Sequence, residues 1–228
     1  MGPLKAWIRA LSPQAELALV LVVAFGAIVP RSLAALAGGL AGPATPPLTN
    51  AALLRTALLE ILILGVLALF LRARGWTLRR LAAAPTLEDL VVGIALAVAC
   101  YGGYAILWNV TLILAPGIGA AAHATRLIAG PLQWPTLVLV SLVNPVFEEV
   151  LACAYVIAAL RERAGVVAAV NTSAALRVFC HFYQGAVGLL GIVPMALLFA
   201  WWYARTQRLW PLIVAHALVD LAGLALGQ

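Results

Sequence analysis

The sequence predicts an all-α, polytopic transmembrane helical bundle of about seven spans. Three observations carry that expectation. Of 228 residues, 65% are hydrophobic and only 10% are charged, against roughly half and about a quarter in a soluble domain. The mean hydropathy is +1.08 over the whole length, which leaves too little polar side chain to cover such a body in water. The apolar runs are also continuous and rich in Leu and Ala, as over 51–71, whereas a membrane β-barrel would show segments of about ten residues alternating in polarity. A soluble enzyme with one core and a polar shell is excluded. At roughly 20 apolar residues per crossing, the chain holds about seven or eight helices with short loops.

The segments follow in order. Lys5 and Arg9 precede Ser12-Pro13, a helix start with proline in the first turn. An apolar run over 17–29 follows, then Pro30-Arg31 and a small-residue tail over 33–42. Ala35-Leu36-Ala37 also fits a signal-peptide cleavage site, the competing expectation for this segment. After a turn-rich loop over 43–47, the second span covers 51–71 and ends in Arg72, Arg74, Arg79 and Arg80. Thr86, with Asp89 three residues on, opens the third span over 87–114. A Gly/Ala-rich loop over 116–131 leads to the fourth span, about 135–160, where Asn144-Pro145 predicts a kink or break. Arg161, Glu162 and Arg163 close it. Three further segments cover 166–184, 188–203 and 211–226, with Arg205 and Arg208 between the last two.

Charge placement orients this chain. With the N-terminus inside, Lys5, Arg9, Arg72, Arg74, Arg79, Arg80, Arg161, Arg163, Arg205 and Arg208 all fall in cytoplasmic loops. Only Arg31, Arg55 and Arg126 fall outside, and Arg177 lies within a span. Seven spans, N-in and C-out, satisfy the positive-inside rule; an eighth element within 116–131 is the alternative. The net charge of +6 is therefore a membrane signature, and no nucleic-acid partner is expected. Cys100, Cys153 and Cys180 lie in apolar stretches without metal-ligand spacing, and an odd number argues against a disulfide framework. No internal repeat divides the chain, so residues 1–228 read as a single integral membrane domain.

Ionisable groups inside spans are expensive and mark function by default. Seven occur here: Glu60, Glu148, Glu149, Arg177, His181, His216 and Asp220. All but Glu60 lie from residue 148 onward, as if one site were built from three helices. Glu148 and Glu149 are adjacent, about 100° apart on a helix. Two such anions in low dielectric cannot both stay ionised cheaply without a cation close by, an environment that suits a general base or acid. The alternative for the pair is snorkelling to an interface. Arg177 and His181 are four apart and share a helix face, as do His216 and Asp220. A His-Asp pair can orient an imidazole, bind a metal or donate to a developing oxyanion; a buried, merely hydrogen-bonded His is the bland alternative.

At these residues the sequence resembles the CPBP intramembrane proteases, which include CAAX prenyl endopeptidases and Abi-type bacterial proteins. The family's marks are Glu-Glu-x-x-x-Arg, Phe-x-x-x-His and His-x-x-x-Asn/Asp on successive membrane helices. Glu148-Glu149 matches the first, His181 the second, and His216 with Asp220 the third, within about 135–225. The resemblance implies a glutamic-type intramembrane endopeptidase. Glu148 would be the base, His181 would position the water, and His216 with Asp220 would form the oxyanion or substrate-binding pair. Two departures stand out: Cys153 occupies the motif Arg position, and Arg177 occupies the motif Phe position. Glu149 would then lack its usual cation, and Arg177 is the expected replacement. Cys153, beside carboxylates, makes a poor thiolate and reads as structural or substrate-contacting.

The family is often labelled metalloprotease, and two imidazoles with two carboxylates could satisfy zinc. The chain lacks His-Glu-x-x-His, and similar proteins are better explained by glutamate-activated water, so no cofactor is expected. The substrate would be a membrane-embedded or lipidated protein reached through the bilayer, in a prokaryotic inner membrane. Two rivals remain. One is an inactive immunity or assembly relative, motivated by Cys153; the other is a proton-coupled transporter using the same groups. Asn144, Tyr155, Asn171, Tyr183 and Gln184 are candidates to line a polar cavity, and Trp201, Trp202 and Trp210 an interfacial belt.

Overall fold

The computed structural model describes residues 8–41, 48–117, 128 and 130–226. Lys5, His123, Arg126, the loop over 43–47 and most of 116–131 lie outside them. Apart from one isolated bridge between Leu48 and Ile128, helix is the only regular structure among the described residues.

Helix α1 (Pro13–Phe25) begins where Ser12 Oγ accepts the Ala15 N–H at 3.2 Å. A 3₁₀ turn, Gly26–Ile28, carries it into α2 (Val29–Ala37). The expected small-residue tail is thus helical as far as Ala37. Pro30 falls in the first turn of α2, where a missing N–H costs nothing, and the chain turns only at Gly38-Gly39, the latter with φ +69. Helix α3 (Asn50–Ala73) is capped by Thr49. The short α4 (Leu78–Leu81) precedes α5 (Leu87–Leu114), whose capping box is formed: the Thr86 N–H donates to Asp89 Oδ2 at 2.7 Å.

Helix α6 (Trp134–Glu148) runs unbroken through Pro145. The irregularity expected at Asn144-Pro145 instead begins at Glu149, as a π-helical segment over Glu149–Tyr155. Proline removes a single donor from the ladder, and the wider turns that follow absorb the mismatch. Helix α7 (Val156–Cys180) contains a true break at Gly165, with φ +84 and ψ 163. Only glycine occupies that conformation without strain. The chain folds back there, since Ser173 Oγ beyond the break donates to the Ala152 carbonyl before it, at 2.7 Å. A 3₁₀ turn (Phe182–Gln184), α8 (Gly185–Thr206) and α9 (Trp210–Leu226) complete the chain.

Among the described residues, five helical stretches are long and apolar enough to cross a membrane, one of them Trp134–Cys180 with its break at Gly165. Dividing that stretch at Gly165 and adding α9 gives a helix for each of the seven segments expected. Helix α6 rests on α3 and α9, α5 on α9 and α8, and α7 on α8 and the π segment. The α5–α9 approach depends on Gly93, where a Cβ would stand 2.6 Å from the Val214 side chain and 2.9 Å from the Pro211 carbonyl. Small residues of this kind let membrane helices close on each other.

Two polar clasps secure the end of the bundle where the basic loops gather. Arg74 donates to Glu16 and to the carbonyls of Ile8, Arg9 and Leu11, while Trp76 Nε1 and the Tyr155 hydroxyl both donate to Glu16 Oε1. Arg208, in the α8–α9 connection, binds both oxygens of Asp89 at 2.7 and 2.8 Å.

Candidate active site

The π segment and its flanks bring the intramembrane charges together. Glu148 closes α6 and Glu149 opens the π segment, fully buried. From the other limb of the hairpin, Ser173, Arg177 and His181 follow at intervals of four, so one face of α7 is aimed at them. Helix α9 adds His216 and Asp220 from the opposite side.

Arg177 holds the centre. It is 3% exposed; its Nη2 donates to Glu149 Oε1 at 2.5 Å and its Nη1 lies 3.5 Å from Glu148 Oε2. The guanidinium thus stands between the two glutamates, where Cys153 leaves no cation. Cys153 itself is enclosed, with its thiol 3.8 Å from the Phe199 carbonyl. The Phe199 ring packs under both Arg177 (5.6 Å) and His216 (6.2 Å).

Both imidazoles are oriented by a hydrogen bond through Nδ1. His181 Nδ1 lies 2.8 Å from the Arg177 carbonyl. A carbonyl only accepts, so this nitrogen carries the proton, and in the neutral ring Nε2 is left as an acceptor. That Nε2 faces Glu148 Oε1 at 3.8 Å, a separation between two acceptors that suits a bridging donor rather than direct contact. His216 Nδ1 lies 2.7 Å from Glu149 Oε1, and its Nε2 lies 3.4 Å from Asp220 Oδ1. Both ring nitrogens therefore face carboxylates, and either can donate where it carries a proton. Asp220 Oδ2 is held in turn by Asn144 Nδ2 at 3.0 Å. Of the three carboxylates Glu148, with its side chain 14% exposed and no contact shorter than 3.5 Å to Arg177, is held most loosely.

The expected site residues Glu148, Glu149, Arg177, His181, His216 and Asp220 are thus brought into one contact network, and Cys153 lies behind it. Of the candidate cavity residues, Asn144 joins through Asp220, and Tyr183 stacks on His181 at 6.1 Å with Gln184 bonded to its hydroxyl. Tyr155 does not join; it turns away to Glu16. Asn171 is exposed. Phe199 and Ser173 were not anticipated. Ser173 could have been found, since it continues the four-residue spacing of Arg177 and His181, whereas Phe199 carries no signal within an apolar helix. Glu60 on α3 is buried, and its Oε2 finds no partner among the described residues.

A guanidinium already occupies the space between the two glutamates and would repel a divalent cation. Among the described residues no three His, Cys, Asp or Glu side chains converge as a metal group.

Residues 130–222 match the model of one protein family, described as Type II CAAX prenyl endopeptidase Rce1-like. The match spans less than half of the chain, but it contains every ionisable residue of the network above. It falls on the same family that the three motifs resemble, a family of proteases. No curated protein matches the chain, and no solved structure does.

Proposed function

We propose that this integral membrane protein is a glutamic-type endopeptidase that hydrolyses a peptide bond of a membrane-associated protein. The single observation that carries the proposal is the 3.8 Å gap between Glu148 Oε1 and His181 Nε2. A water in that gap donates one proton to each acceptor and keeps a lone pair free for attack. As its oxygen bonds to the scissile carbonyl carbon, one proton passes to Glu148. The carbonyl oxygen becomes an oxyanion and meets the Nε2–H of His216, whose contact with Asp220 at 3.4 Å is long enough to yield. Glu148 then returns its proton to the leaving nitrogen, the C–N bond breaks, and a carboxylic acid and an amine depart. Glu149 and Arg177 do not touch the substrate in this scheme. Glu149 keeps His216 a donor, and Arg177 steadies both glutamates. Asp220 and Asn144 fix the far side of the His216 ring, and the substrate enters from the bilayer.

Two features favour hydrolysis over its rivals. A decayed relative should show these groups splayed, whereas Arg177 supplies the cation that Cys153 lacks. A proton relay should spread its groups through the depth of the membrane, whereas these form one network around one buried carboxylate. The proposed setting is a prokaryotic inner membrane with a cytoplasmic N-terminus, and the proposed chemistry needs no cofactor.

The test is comparative terminal proteomics on host membranes, wild type against Glu148→Gln. The change keeps size and removes the base. Specific new termini that vanish in the variant identify protease and substrate together. A Gln variant that complements a deletion, with unchanged termini, removes the base and with it the proposal.

A further inference from the structure

Membrane hydrolysis raises a problem that the network above does not solve. In lipid every backbone N–H and C=O must be paired, yet a peptide bond inside a helix is shielded from attack. The substrate must unwind beside Glu148, and its freed backbone groups then need partners from the protein.

Two buried polar atoms answer that need. Glu60 Oε2 and Ser141 Oγ are enclosed and find no hydrogen-bond partner among the described residues, with Glu60 9% and Ser141 3% exposed. They belong to two helices that pack on each other, α3 and α6. Asn50, at the start of α3, bonds the Pro131 carbonyl (3.1 Å) and the Gln133 N–H (2.8 Å) at the start of α6, so the two helices run side by side in one direction. Leu53 and Ala57 of α3 then meet Leu137 and Val140 of α6, with Leu221 and Leu224 of α9 packed against them. One turn further on stand Glu60 on α3 and Asn144 on α6, with Ser141 between these levels; Asn144 holds Asp220. One more turn along α6 is Glu148. Glu60 is also within electrostatic reach of Glu148, Asp220 and His216.

An orphaned buried polar atom costs about 1–3 kcal/mol, and such atoms call for an explanation in function. We propose that Glu60 and Ser141 are substrate-positioning residues, which pair with the unwound backbone flanking the scissile bond. Glu60 Oε2 accepts an N–H, and the Ser141 hydroxyl donates to a C=O. This rests on the hydrolytic function above and adds α3, outside the family-matched residues, to the elements that hold the substrate. Both atoms are enclosed, so the substrate reaches them as α3 parts from α6. The outer face of α3, with Leu58, Leu62 and Leu69 exposed, lets it move against lipid.

The experiment uses the full chain in liposomes and a synthetic membrane peptide covering a cleavage site found by the terminal comparison. Glu60→Leu and Ser141→Ala should each raise KM by about tenfold with kcat little changed, and Glu60→Gln should fall between Glu60→Leu and wild type. Removing an orphan should leave the melting temperature equal or higher. N-methylation of the one substrate N–H that meets Glu60 should raise KM for wild type and leave it unchanged for Glu60→Leu. An unchanged KM in both variants overturns the assignment, and so does a fall in melting temperature for Glu60→Leu, which would reveal a structural partner. Cleavage by Glu148→Gln at the wild-type rate would instead remove Glu148 as the base, and no cleavage by the wild-type chain would overturn the hydrolytic function and this assignment with it.

Discussion

Replacing Arg177 with Met is the sharpest perturbation of this site. The substitution keeps the length and apolar stem of the side chain and deletes its charge. It leaves Glu149, fully buried, with His216 at 2.7 Å as its remaining strong partner among the described residues, and it removes the guanidinium beside Glu148. Breaking a buried pair from one side costs about 3–5 kcal/mol, because the remaining charge stays desolvated and uncompensated. That cost should appear as a lower melting temperature, and cleavage should fall by about 10²- to 10³-fold, the loss typical of removing one preorganised electrostatic contact. The assay is cleavage in proteoliposomes beside a thermal scan, with Glu149→Gln and the double variant completing a cycle. The double variant should regain much of the lost stability, since neither charge is then left alone, while cleavage stays low. Arg177→Met cleaving at more than a tenth of the wild-type rate would refute the idea that this guanidinium replaces the motif cation. Additive stability losses would refute the pairing itself.

Other outcomes follow from single features. Exchanging the two departures together, Cys153→Arg with Arg177→Phe, should cleave at least about tenfold faster than Arg177→Phe alone, read in the same liposome assay. Gly93→Ala drives a methyl against Val214 and Pro211 and should lower stability by about 1–3 kcal/mol, seen as a reduced melting temperature in detergent. Glu16→Ala strips an acceptor from Arg74, Trp76 and Tyr155 and should destabilise the bundle by at least about 2 kcal/mol, with faster proteolysis ahead of α1. A strong zinc chelator should leave the cleavage rate unchanged; its loss, restored by added metal, would refute the metal-free chemistry.

The charges inside the spans were legible in the sequence because lipid makes each one expensive, so Glu148, Arg177 and His216 stood out from an apolar background. Spacing did the rest: intervals of four put Arg177 with His181 and His216 with Asp220 on shared faces. Other features left no such mark. Glu16 looks like an ordinary first-turn acid, favourable at any helix start, and its partners Arg74 and Tyr155 lie 58 and 139 residues away. The hairpin was expected at Arg161–Arg163, where charge marks an interface. The chain turns slightly later, because only Gly165 can take the required backbone angles. The π segment has no compositional signature, since it differs from an α-helix by backbone phase alone. Glu60 was visible as a charge, but its surroundings depend on how α3 and α6 align, which one chain read linearly does not disclose.

The turn at Gly165 also bears on how this protein is made. The limb beyond it, 166–180, is shorter than the roughly 20 residues that span a bilayer and carries Arg177 in its last turn, a charge that disfavours insertion. Alone it is a poor candidate to leave the insertion machinery for lipid. Joined to 134–164, it can enter as a folded pair, with Ser173 on the Ala152 carbonyl and Arg177 already neutralised by Glu149. The ion pair at the centre of the site would then form during biosynthesis, before α8 and α9 emerge, and integration of the last third of the chain would depend on it.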